Sequence, residues 1–263
     1  MGRRYGQHFL SDAGILQRML DCAQLTVDDT VVEIGPGPGV LTEMLLKRVG
    51  RVIAIEIDSN LHQKLRARLW GHDNLTLVAG DALQFDYGGI ERFKVVSNIP
   101  YCITTPLIFK LLEEARGLQS MTLMLQKEVA QRITALKGGK AYGVLTLMVQ
   151  YRSSTSLDFI VPRGAFRPPP KVDSAVVSFV TLTVPAVTVN NEQSFFKVIR
   201  TAFLRRRKTI ANNLKPYAIN IKDILGDIGI DHMTRPERLS LEEFASIALA
   251  LEQRRHNNIN AQL

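Results

Sequence analysis

The 263-residue chain is poor in the residues that staple small folds. It has two cysteines, Cys22 and Cys102, far apart and in no CxxC pair, and five histidines that do not cluster. Neither a disulfide scaffold nor a zinc site is expected, nor any other metal. No apolar run approaches the roughly 18 residues that cross a bilayer. The first eight residues, Met1 to His8, lack the apolar stretch of a signal peptide. A cytoplasmic monomer with no membrane partner is the expectation. Hydrophobic residues make up 46% and charged residues 22%, which rules out disordered, collagen-like and coiled-coil chains. Repeats and low-complexity segments are absent.

Acidic residues are also in short supply. Lys and Arg outnumber Asp and Glu by 33 to 25, a net charge of +8, so a polyanion or an acidic surface is the expected partner. Residues 1–183 and the last 80 each contribute +4, so the charge is denser toward the C-terminal end. Between Gln193 and Lys222 eight basic residues stand without an acidic one, centred on Arg205-Arg206-Arg207-Lys208. Phe195, Val198, Ile199, Ala202, Phe203, Ile210 and Leu214 recur there at helical spacing. The pattern predicts a helix with one buried face and basic residues around the rest. Arg205, Arg206, Arg207 and Lys208 then read as nucleic-acid contacts, with a solvated helix face as the alternative.

From about Thr30 to Val180 short apolar runs alternate with longer amphipathic stretches. The runs are Val31-Val32-Glu33-Ile34, Val52-Ile53-Ala54-Ile55-Glu56, Leu75-Thr76-Leu77-Val78, Val95-Val96-Ser97, Met121 to Leu125 and Ser174 to Val180. Helical patterns fall at residues 40–49, 60–69, 106–115 and 127–136. This alternation predicts an α/β fold, an open and mostly parallel sheet with helices on both faces. Residues 184–192, with Pro185, Asn190 and Asn191, read as a linker, and Ser240-Leu241-Glu242-Glu243 as a helix start. The expected division is an α/β domain over residues 1–186 and a small all-α domain over 187–263.

After the first of these runs comes Gly35-Pro36-Gly37-Pro38-Gly39-Val40. The glycines are spaced GxGxG rather than GxGxxG, the wrong register for NAD. They still allow backbone to approach a ligand, and the prolines stiffen the turn. A purely structural turn is the alternative. The second run ends in Glu56-Ile57-Asp58, where a carboxylate can accept both hydroxyls of a ribose. The third leads into Gly80-Asp81-Ala82, where another can accept from an exocyclic amine. Ile57 and Ala82 belong to the same candidate site. Each carboxylate alone could be a helix cap or turn residue; together, beside the glycine turn, they describe a nucleoside with a small, cationic, phosphate-free tail.

The fourth run ends in Asn98-Ile99-Pro100-Tyr101, at the same carboxyl edge. An adenine amine is a poor nucleophile because its lone pair is delocalised into the ring. The Asn98 side-chain oxygen and the Ile99 carbonyl can each accept one amine hydrogen, while Pro100 holds the turn and Tyr101 offers a stacking face. An ordinary turn is again the alternative. Phe166, before three consecutive prolines, is a second aromatic for a flipped base or else a core residue. Lys171 and Arg163 are phosphate contacts or solvated loop charges.

The glycine turn with Glu56 and Asp81 resembles the class I S-adenosylmethionine-dependent methyltransferases, and Asn98–Tyr101 their N6-adenine branch. The likeness extends through Tyr5-Gly6-Gln7-His8-Phe9-Leu10, Thr105-Pro106-Leu107, the segment Leu125 to Arg132, Tyr142-Gly143, the segment Phe166 to Val177, and Arg206 to Ile210. From about residue 4 to 240 the chain resembles the ribosomal RNA adenine N6,N6-dimethyltransferase family, most closely its bacterial small-subunit branch. The resemblance implies a Rossmann-like sheet and S-adenosylmethionine as cofactor. It implies four methyl transfers to two adjacent adenosines in the 3′-terminal hairpin loop of 16S rRNA, within the 30S subunit or its precursor. The positions matching the family's cofactor contacts are His8, Leu10, Gly35, Glu56, Asp81 and Asn98, with Gly37 and Gly39 in the turn beside the methionine part. The rival readings are a large-subunit rRNA adenine N6-methyltransferase and a non-catalytic RNA-binding assembly factor.

Overall fold

A computed structural model of the chain describes residues 8–10 and 12–260, with side chains as far as Arg254. Two compact units emerge. The first runs to Gln131 and takes in Ser154–Thr181; the second joins Arg132–Ser153 to the residues from Leu182 onward.

The first unit opens with β1 (Phe9–Leu10) and α1 (Ala13–Cys22), the latter capped by the Asp12 carboxylate on the amides of Gly14 and Ile15. Then follow β2 (Thr30–Ile34), α2 (Val40–Leu46), β3 (Arg51–Glu56), α3 (Ser59–Arg68), β4 (Leu75–Ala79), β5 (Phe93–Asn98), α4 (Thr104–Glu114), β6 (Leu118–Gln126) and α5 (Lys127–Ile133). After an excursion into the second unit, β7 (Ser153–Val161), β8 (Phe166–Arg167) and β9 (Ser174–Thr181) complete it.

Seven strands form one sheet in the order β4-β3-β2-β5-β6-β9-β7, with β4 through β6 parallel and β9 antiparallel to β6. The central strands are buried on both faces, which is why they read as continuous apolar runs. From β2 the chain steps outward to β3 and β4, then returns to β5 on the other side of β2. The loops after β2 and β5 therefore part, leaving a crevice at the carboxyl edge where α/β sheets bind ligands. Leu16, Met19 and Leu20 of α1 and Leu41 and Leu45 of α2 pack with Val31, Val52 and Val96 into the core beneath it.

The second unit contains α6 (Val144–Gln150), α7 (Glu192–Ala202), α8 (Ile210–Leu214), α9 (Ile221–Asp227) and α10 (Leu241–Asn260). The Ser240 hydroxyl and the Glu243 carboxylate cap the start of α10 reciprocally.

Two expectations need correction. The helical unit is not the C-terminal segment alone, because residues 132–153 belong to it. Tyr151 packs against Phe195 and edge-to-face on Phe196, with ring centroids 5.4 and 5.1 Å away, and its hydroxyl donates to Glu192 Oε1 at 2.9 Å. Burying α6 in this way outweighs chain continuity as a guide to where a domain ends. Nor is there one helix across residues 195–214. The chain turns between α7 and α8, where the Asn213 amide donates to the carbonyls of Arg205, Lys208 and Thr209 at 3.2–3.4 Å. Arg205, Arg206, Arg207 and Lys208 thus stand on a turn, not around a helix.

Candidate active site

The glycine turn continues the sheet before leaving it. The Gly35 amide donates to Ile55 O at 2.9 Å, and Gly39 closes the turn onto Pro36 O at 2.9 Å. Gly37 has φ +57°, and a Cβ there would lie 2.8 Å from the Phe9 ring. Gly39 has φ +86°, and its Cβ would meet Leu65 at 2.5 Å. The third glycine therefore serves the packing of α2 on α3, whereas the first two face a cavity.

That cavity is lined by His8, Leu10, Glu33, Gly35, Gly37, Glu56 and Asn98 to Tyr101. A second cavity shares Gly35, Glu56 and Pro100 with it and adds Ile57, Asp81, Ala82 and Ile103. Every cofactor residue anticipated from sequence, Gly39 excepted, lines one of the two. Of the Tyr5-to-Leu10 motif, Tyr5, Gly6 and Gln7 lie outside the described residues.

Glu56 is 2% exposed. Its Oε2 accepts from the Gly37 amide at 3.1 Å and its Oε1 from Asp58 at 2.9 Å. Burial pushes its carboxyl above the usual range, and those two amides hold the rise in check. Asp58 caps α3 through the amides of Asn60 and Leu61, leaving Glu56 as the carboxylate of this strand end in the cavity. Asp81 Oδ1 accepts from Leu83 N at 2.9 Å, and no described donor reaches Oδ2.

Sequence reasoning gave Glu33 no role, yet it is a fully buried acid on the cavity wall. Burial pushes its carboxyl up to about 8; the Thr42 hydroxyl beside it relieves this in part, and the charge on Glu56 adds to it. Its Oε2 meets no hydrogen-bond partner of good geometry among the described residues. The signal was its place in an otherwise apolar strand, where a carboxyl is out of keeping.

Asn98 is half-buried. Its Nδ2 makes a long 3.4 Å bond to His8 O, and no described donor reaches its Oδ1. Ile99 is buried, and Pro100 packs toward Gly35. The Tyr101 hydroxyl pairs with Ser174 Oγ at 2.7 Å, and its ring lies 5.9 Å from His8, tilted by 31°. His8 in turn donates from Nδ1 to Pro168 O at 2.8 Å. Ser174, which the sequence did not single out, thus fixes the Tyr101 ring.

Phe166 is not where the flipped-base reading requires it. It pairs with Leu10 in the β1–β8 ladder and is fully buried in the core with Leu16 and Val176, so packing is its role. Lys171 is exposed, as are Arg205, Arg207 and Lys208, and none forms an ion pair with a described residue. Arg206 differs, for its guanidinium donates to the carbonyls of Lys140 and Tyr142. Among the described residues no cluster of His, Cys, Asp and Glu could hold a metal ion, and no helix is long and apolar enough to cross a membrane.

Comparison with known proteins identifies a family and a fold for the chain. A family model described as ribosomal RNA adenine dimethylase matches residues 1–253. The chain is 44% identical to the Ribosomal RNA small subunit methyltransferase A of Moorella thermoacetica, over 94% of this chain and 91% of that protein. Its fold is similar to that of a dimethyladenosine transferase from Plasmodium falciparum, with TM-score 0.83 and 29% identity over 94% of this chain and 98% of that one. It is also similar to the 23S rRNA methyltransferase ErmE, with TM-score 0.75 and 28% identity over 93% and 100%.

Proposed function

The chain belongs to the ribosomal RNA adenine dimethylase family, and from that premise we propose that it methylates small-subunit rRNA. In this reading it transfers methyl groups from S-adenosylmethionine to the N6 amines of two adjacent adenosines in the 3′-terminal hairpin loop of 16S rRNA, in the 30S subunit or its precursor.

The donor set suits that cofactor. Glu56, held by two backbone amides, has further lone pairs for ribose hydroxyls, and Asp81 Oδ2 is free to accept from an adenine amine. Ile57, Ala82 and Ile103 supply apolar wall for the base. On the other side of Glu56, Glu33 lines the part of the cavity open to the cationic end of the tail. The cofactor supplies a methyl group activated by a sulfonium sulfur.

The residues of the chain prepare the amine that receives it. Asn98 Oδ1 and the Ile99 carbonyl accept its two hydrogens, which favours a pyramidal nitrogen whose lone pair is less delocalised into the ring. The Tyr101 face holds the unstacked base, an interaction worth roughly 1–3 kcal/mol. With both partners held, alignment supplies much of the rate. A neutral amide does not take the proton, which leaves for solvent after transfer. The exposed cations Arg205, Arg207, Lys208 and Lys171 meet rRNA phosphates.

One observation carries this reading: Asn98, with its oxygen free, lines the same cavity as Glu56 and the glycine turn. The test is transfer of labelled methyl groups from S-adenosylmethionine to undermethylated 30S and to 50S particles. Incorporation into two adjacent adenosines of 30S particles is expected. Labelling of 50S alone would make the enzyme a large-subunit type, and no labelling would make it a non-catalytic assembly factor.

A further inference from the structure

Between α5 and α6 runs a loop, Leu136-Lys137-Gly138-Gly139-Lys140-Ala141, to which neither the motifs nor the proposed chemistry gives a role. Its backbone is anchored within the second unit. Gly138 N donates to Glu237 O at 2.8 Å, Tyr142 N to Gly139 O at 3.1 Å, and the Tyr142 hydroxyl to Leu239 O at 3.0 Å. Arg206 adds the decisive tie. Its Nη2 donates to Lys140 O at 2.8 Å and to Tyr142 O at 3.1 Å, so a single nitrogen uses both hydrogens on this loop.

The loop's own charges are not all spent. Lys137 pairs with Glu243 at 3.1 Å. Lys140 is exposed and forms no ion pair or side-chain hydrogen bond with a described residue. Arg238 lies against the same loop, its Nη1 3.1 Å from where a Cβ on Gly138 would stand, and it too is exposed and forms no ion pair with a described residue. The acidic groups nearby are the exposed Glu242, Glu243, which is engaged with Lys137 and the Ser240 amide, and the half-buried Glu237. Lys140, Arg205, Arg207, Lys208 and Arg238 are therefore five cations without an ion pair to a described residue, on three segments tied together by the Arg206 side chain and the Gly138–Glu237 backbone bond. Such a surface complements a phosphate backbone, because charges held by a folded loop lose little freedom on binding.

We propose that the RNA surface of the second unit spans two further segments besides the 205–208 turn: Lys140 and Arg238 are additional phosphate contacts, and Arg206 is a positioning residue that clamps the Lys140 loop to the turn. This rests on the reading of residues 205–208 as an RNA contact, and adds that one of those four side chains acts through the protein rather than on the ligand.

The test uses the full chain and undermethylated 30S particles, with binding measured between 50 and 200 mM salt. Lys140→Gln is expected to reduce the slope of log affinity against log salt by roughly 0.7–0.9, the share of one phosphate contact. Arg206→Lys keeps the charge but lacks a planar guanidinium. It should raise amide hydrogen exchange at residues 138–142 about tenfold in the RNA-free protein, as expected for a lost charged hydrogen bond. Arg207→Lys should leave that exchange unchanged. Combined with Lys140→Gln, Arg206→Lys should weaken binding no further than either alone. An unchanged slope in Lys140→Gln, with the triple Arg205→Gln, Arg207→Gln, Lys208→Gln still flattening it, would overturn the loop's role alone. Unchanged slopes in both would overturn the RNA reading of the turn as well and leave an acidic protein as the partner of this surface. Unchanged exchange in Arg206→Lys would remove the clamp.

Discussion

The cavity of the first unit and the basic surface of the second handle charge in opposite ways. In the cavity Glu33 and Glu56 are almost wholly buried, and their protonation and orientation are set by neighbours the chain itself supplies. On the basic surface Lys140, Arg205, Arg207 and Lys208 are exposed and have no described acidic partner. A buried carboxyl interacts strongly with whatever enters, because little water screens it, and it must be held in place at a cost in stability. Exposed cations act weakly one by one and by number, in a manner salt can erase. Selectivity for a small cofactor suits the first arrangement; affinity for a long polyanion suits the second.

The largest effect that would sharpen this contrast is expected at Asn98. Asn98→Ala should lower methyl transfer about 10²–10³-fold, as loss of an oriented polar group at a reacting centre does, while cofactor affinity measured by calorimetry changes far less. Equal losses in both would show that Asn98 serves the cofactor and not the amine.

The buried acid comes next. Glu33 holds its proton in the folded chain up to about pH 8, whereas the unfolded chain releases it near the ordinary value of 4.5. Between those values the native state binds more protons, so stability falls as pH rises, by up to about 1.4 kcal/mol per pH unit for one proton. Burial moves Glu56 in the same direction. Urea unfolding from pH 5 to 9 should show this decline, and Glu33→Gln should flatten most of it. Removing exposed cations such as Lys140 should leave the profile alone, and a decline that survived Glu33→Gln would break the contrast.

A smaller effect is expected at Tyr101. Tyr101→Phe loses the 2.7 Å bond to Ser174 but keeps the ring face. The cost of one hydrogen bond is about 0.5–1.5 kcal/mol, so transfer should fall no more than about tenfold, and Tyr101→Ala should fall further. Equal activities in Phe and Ala would mean that the ring face holds no base.

Legibility followed burial. Strands β2, β3 and β5 could be read because a strand covered on both faces is apolar at nearly every position. In β7, at the sheet margin, Thr155, Leu157, Phe159 and Val161 alternate with Ser154, Ser156 and Asp158, a period-two signal diluted by the exposed Ile160. Glu56, Asp81 and Asn98 were legible because each ends a recognisable strand. Ser174 was not, since its partner Tyr101 is distant in sequence, and neither was the burial of Phe166, which depends on pairing with Leu10.

The periodicity of apolar residues, the glycine spacing and the polar residues at strand ends were enough to specify an α/β sheet, its edge and the nucleoside chemistry along it, because each is a local pattern that folding preserves. Which glycine faces the ligand, which arginine holds a loop, and where the helical unit takes its extra segment were settled by packing between residues far apart in the chain. Those outcomes depend on distances of a few ångströms across the fold, and no local pattern encodes them.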